Sequence, residues 1–222
     1  MHNMHNEPKT PHGPKTAGRT IHWAAEYDFF TSLLGLGVNR SNSRMIVELA
    51  GIKPGDRVLD VGCGSGNLTL TAKTSAGAKG AVYGIDAAPE MIDVARKKAQ
   101  REGMDVTFEV GLIEKIPFPN AAFDVVINRL MVHHLPDDLK RLGIAEIFRV
   151  LKPGGRLLIA DFNPPANPIL AHLTLALVGH GMMKTSVRDL PTMLSGAGFM
   201  NVTSGPTRSA FLAFVRGEKP AL

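Results

Sequence analysis

Three features are scarce in this 222-residue sequence: cysteine, long apolar runs and runs of like charge. The only cysteine, Cys63, excludes an internal disulfide framework and is typical of a reducing compartment. No apolar stretch reaches the length of about 18 residues that a membrane-spanning helix needs. The N-terminus also lacks the apolar core of a secretion signal. These absences predict a cytoplasmic protein with no membrane span.

The net charge of +5 and the isoelectric point near 9.5 would suit an anionic partner. However, the lysines and arginines are scattered singly, and no basic–aromatic stripe is present. We therefore interpret them as solvated helix faces and expect no nucleic-acid partner. His2, His5 and His12 lie in a polar N-terminal stretch and do not form a designed site, so no metal is predicted.

The length and the hydrophobic content of 44% predict one α/β domain with an N-terminal extension. Residues 1–18 are polar and contain proline, which predicts a disordered tail. Residues 19–222 form the predicted domain, and residues 19–51 within it are predicted to be a helical cap. In this cap Trp23, Tyr27 and Phe30 fall on one helical face.

The chain is organised around VLDVGCGSGNLT, residues 58–69. An apolar run predicts a buried strand, the alternating glycines predict a turn that a ligand can approach closely, and a helix follows. Asp60 lies inside the apolar run, where an unpaired charge would cost several kcal/mol. We therefore expect it near the carboxyl end of the strand with a partner. The third glycine, Gly66, comes one residue too early for the dinucleotide fingerprint.

A second short strand, AVYGI, ends at Asp86, twenty residues after Gly66. An acid at this place can accept hydrogen bonds from both hydroxyls of a ribose. Met91, in the first turn of the next helix, fits either an adenine contact or core packing. Further strand and helix patterns alternate up to Phe162, which predicts a doubly wound, mostly parallel sheet with helices on both faces. They include a helix predicted at 44–50 and, after the turn LKPGGR, a fifth strand predicted at 157–162. Two last strands, within residues 199–215, are close enough to be antiparallel neighbours.

These motifs resemble the class I S-adenosylmethionine (SAM)-dependent methyltransferases, and more narrowly the ubiquinone/menaquinone-biosynthesis C-methyltransferase-like group. The resemblance extends from about Tyr27 to Val215 and includes GIDAAPEMIDVARKKA, HHLPDD and EIFRVLKPGGRLLIADF. It implies a Rossmann-like fold with a seven-stranded sheet whose last strand is antiparallel. It also implies SAM as cofactor, S-adenosylhomocysteine as product, and methyl transfer to a small molecule.

Carried over by motif position, the resemblance implies a cofactor site along the carboxyl ends of the strands. Many relatives have Asp or Asn where this chain has Leu112, so the adenine here would lose one hydrogen bond, worth about 1 kcal/mol. The implied cofactor residues are Tyr27, Asp60, Gly62, Cys63, Gly64, Ser65, Gly66, Asp86, Ala87, Met91, Leu112, Ile113, Asn128 and Arg129.

Methyl transfer from a sulfonium is an in-line displacement, and an oxygen or carbon acceptor usually needs a base with a pKa near 7. The catalytic candidates are His133, His134 and His180, with Asp161 and His172 as further options. Each of the paired histidines also fits a structural role in a loop. Residues 163–185 are predicted to be a variable acceptor segment, whose apolar composition indicates an apolar or aromatic acceptor.

Three other functions stay open from the sequence. A nicotinamide oxidoreductase is disfavoured by the early third glycine. A SAM-binding module without catalytic activity fits the lack of one clear base. A methyltransferase acting on protein or RNA fits the same cofactor motifs. A homodimer is a further open hypothesis.

Overall fold

The computed structural model describes residues 40–163, 187–209 and 212–221. In these ranges strands and helices alternate as predicted. The strands are β1 (Arg57–Val61), β2 (Ala81–Asp86), β3 (Thr107–Val110), β4 (Phe123–Arg129), β5 (Leu151–Phe162), β6 (Met200–Pro206) and β7 (Leu212–Glu218). The helices are α1 (Arg40–Ala50), α2 (Asn67–Ala76), α3 (Pro89–Glu102), α4 (Asp137–Val150) and α5 (Leu190–Gly196), with short 3-10 helices at Val132–His134 and Val187–Asp189.

The strands form one seven-stranded sheet in the order β3-β2-β1-β4-β5-β7-β6. Strands β1 to β5 pair in parallel, whereas β7 runs antiparallel to both β5 and β6. The predicted fold class is therefore confirmed, including the antiparallel last strand. The order reverses between β1 and β4, which is where doubly wound sheets open a crevice at their carboxyl ends.

Helices cover both faces of the sheet, because the strands are apolar on both sides. Apolar residues of α4 and α5, such as Ile147 and Leu194, pack on one face with Leu59 and Ile159. On the other face α1 and α2 pack against β1, β2, β4 and β5, and α3 packs beside them near β3. None of the helices in the described residues is long and apolar enough to cross a membrane.

Some element boundaries differ from the sequence predictions. Helix α1 begins at Arg40, four residues before the predicted start at Arg44. Strand β5 begins at Leu151, because Leu151 pairs with Phe123 and the Pro-Gly-Gly stretch forms a bulge inside the strand. The predicted tail, the predicted cap up to residue 39 and nearly all of the acceptor segment lie outside the described residues.

Candidate active site

The glycine loop joins β1 to α2 at the carboxyl edge of the sheet. Gly62, Gly64 and Gly66 have φ angles of 71°, 52° and 82°, in the left-handed region. At Gly66 a Cβ would also lie 2.9 Å from the ring of Phe108 and 3.0 Å from Ala95. Glycine is therefore required there both by the backbone conformation and by close packing against β3 and α3.

Most amides of this loop are already used within the protein. The N–H groups of Gly62 and Cys63 donate to the carbonyl of Ile85, at 2.8 and 2.9 Å. The N–H of Gly64 donates to Asp86 Oδ2 at 2.9 Å, and the N–H of Gly66 donates to the Cys63 carbonyl at 3.0 Å. A loop with these four amides committed is poorly suited to hold a pyrophosphate, which needs free N–H donors.

Asp86 ends β2 and joins the glycine loop to the start of α3. Its Oδ1 accepts the N–H of Ala88 at 2.9 Å, while Oδ2 accepts that of Gly64. Burial raises the pKa of this carboxyl, although the backbone hydrogen bonds oppose the shift. Met91 is buried in the first turn of α3 and packs with Ala88. The Asp86 carboxyl is thus held at the carboxyl edge of the sheet, and the apolar residues Ala88 and Met91 follow it in the chain.

Asp60 is a buried acid on β1, on the side of the sheet that α2 covers. Thr69 Oγ1 donates to its Oδ2 at 2.6 Å, which confirms the expected partner. No described residue donates a hydrogen bond to Oδ1. Burial raises the pKa of Asp60 to about 6, against the opposing effects of Thr69 and the charge of Arg129. The side chain is therefore an acceptor with one satisfied and one unsatisfied oxygen.

Asn128 and Arg129 end β4, one strand away from Asp60. The Asn128 amide donates to the carbonyl of Val61, but its own Oδ1 has no hydrogen-bond donor among the described residues. Arg129 donates from a guanidinium nitrogen to Ser43 Oγ of α1 at 2.9 Å. These contacts hold the ends of β1 and β4 and the start of α1 together. They leave two buried acceptor oxygens at this edge, one on Asp60 and one on Asn128.

His133 and Asp161 form a buried pair at the ends of β4 and β5. His133 Nδ1 lies 2.6 Å from Asp161 Oδ1, and the His133 backbone N–H donates to Oδ2 at 3.0 Å. The Phe162 N–H also donates to Oδ1, at 2.6 Å. Burial raises the pKa of Asp161, but the His133 charge and these hydrogen bonds outweigh it and hold the pKa below 3.8. The ring of His134 lies 3.9 Å from that of His133.

The other predicted site residues differ in what their side chains contact. The Cys63 thiol packs in the cluster beneath the loop, against α3 and β3, and burial raises its pKa well above the ordinary value. Ser65 and Asn67 are both within hydrogen-bond distance of Lys98 Nζ, at 3.3 and 2.8 Å. Ile113 packs against Gly143 of α4. Tyr27, His172 and His180 lie outside the described residues.

Sequence reasoning did not single out three residues that shape this site. Thr69 belongs to the quoted motif, and its place in the first turn of α2 could have identified it as the donor to Asp60. Met131 lies over the loop, 2.6 Å from where a Cβ on Gly62 would be. Leu130 has a φ of 55°, a conformation that a leucine rarely adopts and that often marks functional sites. No sequence signal indicates this strain.

No group of three or more His, Cys, Asp or Glu side chains in the described ranges could hold a metal ion. The groups that the structure brings to this edge are carboxylates, an amide, an imidazole and a glycine loop. Together with the sheet order and the acid at the end of β2, these residues match the class that the sequence resembles: the Rossmann-like, SAM-dependent methyltransferases.

Comparison with known proteins supports the same class. Residues 52–203 match the model of a methyltransferase domain, and the chain belongs to this family. It is 33% identical over 221 aligned residues to the "Ubiquinone/menaquinone biosynthesis C-methyltransferase UbiE" of Ectopseudomonas mendocina (strain ymp), covering 89% of this chain and 86% of the relative. The protein is thus a methyltransferase that uses SAM as its methyl donor.

Two solved structures illustrate the shared fold. A SAM-dependent methyltransferase from Aquifex aeolicus superposes with a TM-score of 0.65 and 23% identity, covering 85% of this chain and 97% of that one. Phosphoethanolamine N-methyltransferase 2 from Haemonchus contortus, solved with SAM, gives a TM-score of 0.65 and 19% identity. It covers 81% of this chain and 52% of the other. At these identities the likeness concerns the fold alone.

Proposed function

We propose that this enzyme transfers the methyl group of SAM to a small-molecule acceptor and binds SAM across the carboxyl ends of β1, β2 and β4. The observation that carries the proposal is the pair of buried oxygens, Asp60 Oδ1 and Asn128 Oδ1, that have no donor in the described part of the chain. A buried acceptor without a donor costs about 1–3 kcal/mol. The ammonium and sulfonium groups of SAM are cationic, so such a ligand would offset this cost.

The adenosine end is proposed to lie beside β2 and β3. Asp86 is supported as the ribose acceptor because its carboxylate accepts backbone N–H groups but offers about four lone-pair sites, so it can accept ribose hydroxyls as well. Ala87 and the buried Met91 would line the adenine on one side, and Leu112 and Ile113 on the other. The glycine-loop residues from Gly62 to Gly66 and Arg129 complete the proposed cofactor site.

A nicotinamide dinucleotide fits the same loop less well. Its pyrophosphate would find the amides of Gly62, Cys63, Gly64 and Gly66 already bonded within the protein. It would also meet two carboxyl groups, Asp60 and Asp86, whose charges repel an anion. The electrostatics of the loop therefore favour a cationic ligand over an anionic one.

The acceptor is proposed to be small and apolar or aromatic. The support comes from the apolar composition of residues 163–185 and from the scattered basic residues, which do not form a surface for nucleic acid. The curated relatives are named as C-methyltransferases of ubiquinone and menaquinone biosynthesis. A cytoplasmic location and a homodimer stay predictions, testable by cell fractionation and by light scattering.

Calorimetric titration with SAM, and separately with S-adenosylhomocysteine, tests the cofactor site. The wild type should bind both saturably. Asp86→Ala should weaken binding at least about tenfold, the equivalent of ~1.4 kcal/mol. Asp124→Ala is the matched control, because Asp124 also accepts a backbone N–H but lies at the opposite end of the sheet. This control should bind like the wild type.

Transfer of labelled methyl groups to a panel of phenols, quinones and amines then tests the activity. Product formation with any of them excludes a binding module without catalytic activity. If the folded wild type bound neither SAM nor S-adenosylhomocysteine, the proposed cofactor site would be wrong.

A further inference from the structure

We propose that His133 is the catalytic base of this enzyme, positioned by Asp161, and that it removes the proton of a hydroxyl acceptor such as a phenol or enol. This inference rests on the proposed function and deepens it. It selects one histidine from the adjacent pair, and it assigns the acceptor a chemical property, namely a proton that must be removed.

The contacts of Asp161 determine which nitrogen of His133 can accept that proton. Its carboxylate accepts three hydrogen bonds, two of them from His133 and one from the Phe162 N–H. An ionised carboxylate only accepts, so Nδ1 must carry the hydrogen that lies between the two side chains. Nε2 is then the basic nitrogen of the neutral ring, and Asp161 would stabilise the imidazolium once Nε2 is protonated.

The position of the pair also fits a role in the reaction. Asp161 is the residue before the end of β5, on the face where Leu157 and Ile159 pack against α4 and α5. His133 follows β4 by four residues and is held to that position by its backbone as well as its ring. Both side chains are almost fully buried, at 3% and 1% exposed, so bulk water is largely excluded. A fixed, dry imidazole at the carboxyl edge is suited to proton transfer.

His134 is less suited to this role. Its ring packs on that of His133 at 3.9 Å, whereas the buried carboxylate of Asp161 bonds to His133. Asp161 of β5 and His134 on the same 3-10 helix are two titratable groups that contact the His133 ring. Only the former can fix a tautomer through an ionised oxygen.

The proposed step moves one methyl group and one proton. SAM supplies an electrophilic methyl group. The acceptor oxygen bonds to the methyl carbon as the bond from that carbon to sulfur breaks. The acceptor O–H bond also breaks, and its proton moves to Nε2 of His133. The products are a methyl ether and S-adenosylhomocysteine, and the imidazolium returns its proton to water.

Two phenols of different acidity test the base. At mildly alkaline pH 4-nitrophenol is largely ionised, whereas 4-methylphenol keeps its proton. His133→Asn places an amide donor where Nδ1 stands but has no equivalent of Nε2. We expect this variant to methylate 4-methylphenol at least about 100-fold more slowly than the wild type. Its rate with 4-nitrophenol should stay within a few-fold, because that acceptor needs no base.

Asp138→Asn, at an exposed position in the first turn of α4, is the control and should leave the rates with both phenols within a few-fold of wild type. Equal losses with the two phenols in His133→Asn would show a structural role and overturn the proposal. A wild type that binds SAM but methylates neither phenol would overturn the hydroxyl class. Titration of each variant with S-adenosylhomocysteine reports the cofactor site separately, so a failed proposed function is recognised by the absence of binding.

Discussion

Two buried aspartates at the same edge of the sheet have opposite properties. Asp161, on the α4 and α5 side, accepts three hydrogen bonds, and its pKa is lowered. Asp60, on the α2 side, accepts hydrogen bonds from Thr69, and burial raises its pKa to about 6. Both are 1% exposed, so burial alone does not decide the charge state. The neighbouring charges and donors decide it: the His133 charge and three hydrogen bonds lower the pKa of Asp161, whereas Thr69 and Arg129 do not outweigh burial at Asp60. Asp161 is thus satisfied within the fold, and Asp60 has an oxygen left for a ligand.

Removal of Asp161 is expected to have the largest effect. Asp161→Ala leaves the Nδ1 hydrogen of His133 and two backbone N–H groups buried without an acceptor. We expect the free energy of unfolding to fall by about 3–5 kcal/mol, measured by urea denaturation at neutral pH. Asp161→Asn, which keeps one acceptor oxygen, should lose less. If the free energy of unfolding fell by less than about 1 kcal/mol in Asp161→Ala, the contrast between Asp161 and Asp60 would be contradicted.

Neutralisation of Asp60 should instead raise the free energy of unfolding. The carboxylate is ionised at about pH 8 although its burial favours the protonated form, and a shift of about two pH units corresponds to ~3 kcal/mol. Asp60→Asn should therefore stabilise the cofactor-free protein by up to that amount in thermal or urea unfolding. The same variant should bind SAM more weakly in calorimetry. Lower stability together with unchanged binding would show that Asp60 is a structural acid after all.

The pH dependence should differ between the two acids. The pKa of Asp60 is higher in the folded state, about 6, than its ordinary value of 3.8. Its contribution to stability is therefore fully present below about pH 4 and is lost as the pH rises through about 6. The stability gained by Asp60→Asn should grow across this window and then level off. For Asp161, whose folded pKa is lowered, stability is present above about pH 4 and is lost as the pH falls further.

Those curves are measured as urea denaturation at a series of pH values on the wild type, Asp60→Asn and Asp161→Asn. Parallel curves for the wild type and Asp60→Asn would contradict the raised pKa.

The smallest effect is expected from Thr69, whose hydroxyl donates a hydrogen bond to Asp60. Thr69→Val removes this hydrogen bond at nearly constant volume and should cost about 1–2 kcal/mol at mildly alkaline pH. In an Asp60→Asn background the same change should cost less, because no charge remains to be stabilised. A double-mutant cycle of unfolding free energies measures this coupling. Equal costs in the two backgrounds would mean that the Thr69 hydroxyl does not act through Asp60.

Much of the fold followed from the sequence because its signals are local. A window of about ten residues is enough to recognise the apolar runs of β1 and β4, the glycine loop and the acid at the end of β2. The partner of Asp60 was expected on energetic grounds, and the structure supplies it in Thr69. The start of β5 was wrong by six residues, because pairing with β4 overrides the turn signal of Lys152–Gly155.

The pairing of His133 with Asp161 could not be predicted from the sequence. Both residues were candidates, but they lie 28 positions apart, and their contact depends on the register between β4 and β5. The unsatisfied oxygens of Asp60 and Asn128 were equally hidden, because an absent donor is a property of the whole surrounding structure. Sequence patterns identify which residue types are present, whereas these features depend on what surrounds them.

The place of β7 has a consequence for how the chain is synthesised. This strand lies between β5 and β6, although the ribosome makes it after all six others. Until residues 212–218 emerge, β5 has an open edge, and β6 has none of its strand partners in the described sheet. In the described sheet, β5 and β6 therefore cannot be joined until β7 has been synthesised and has paired with both of them.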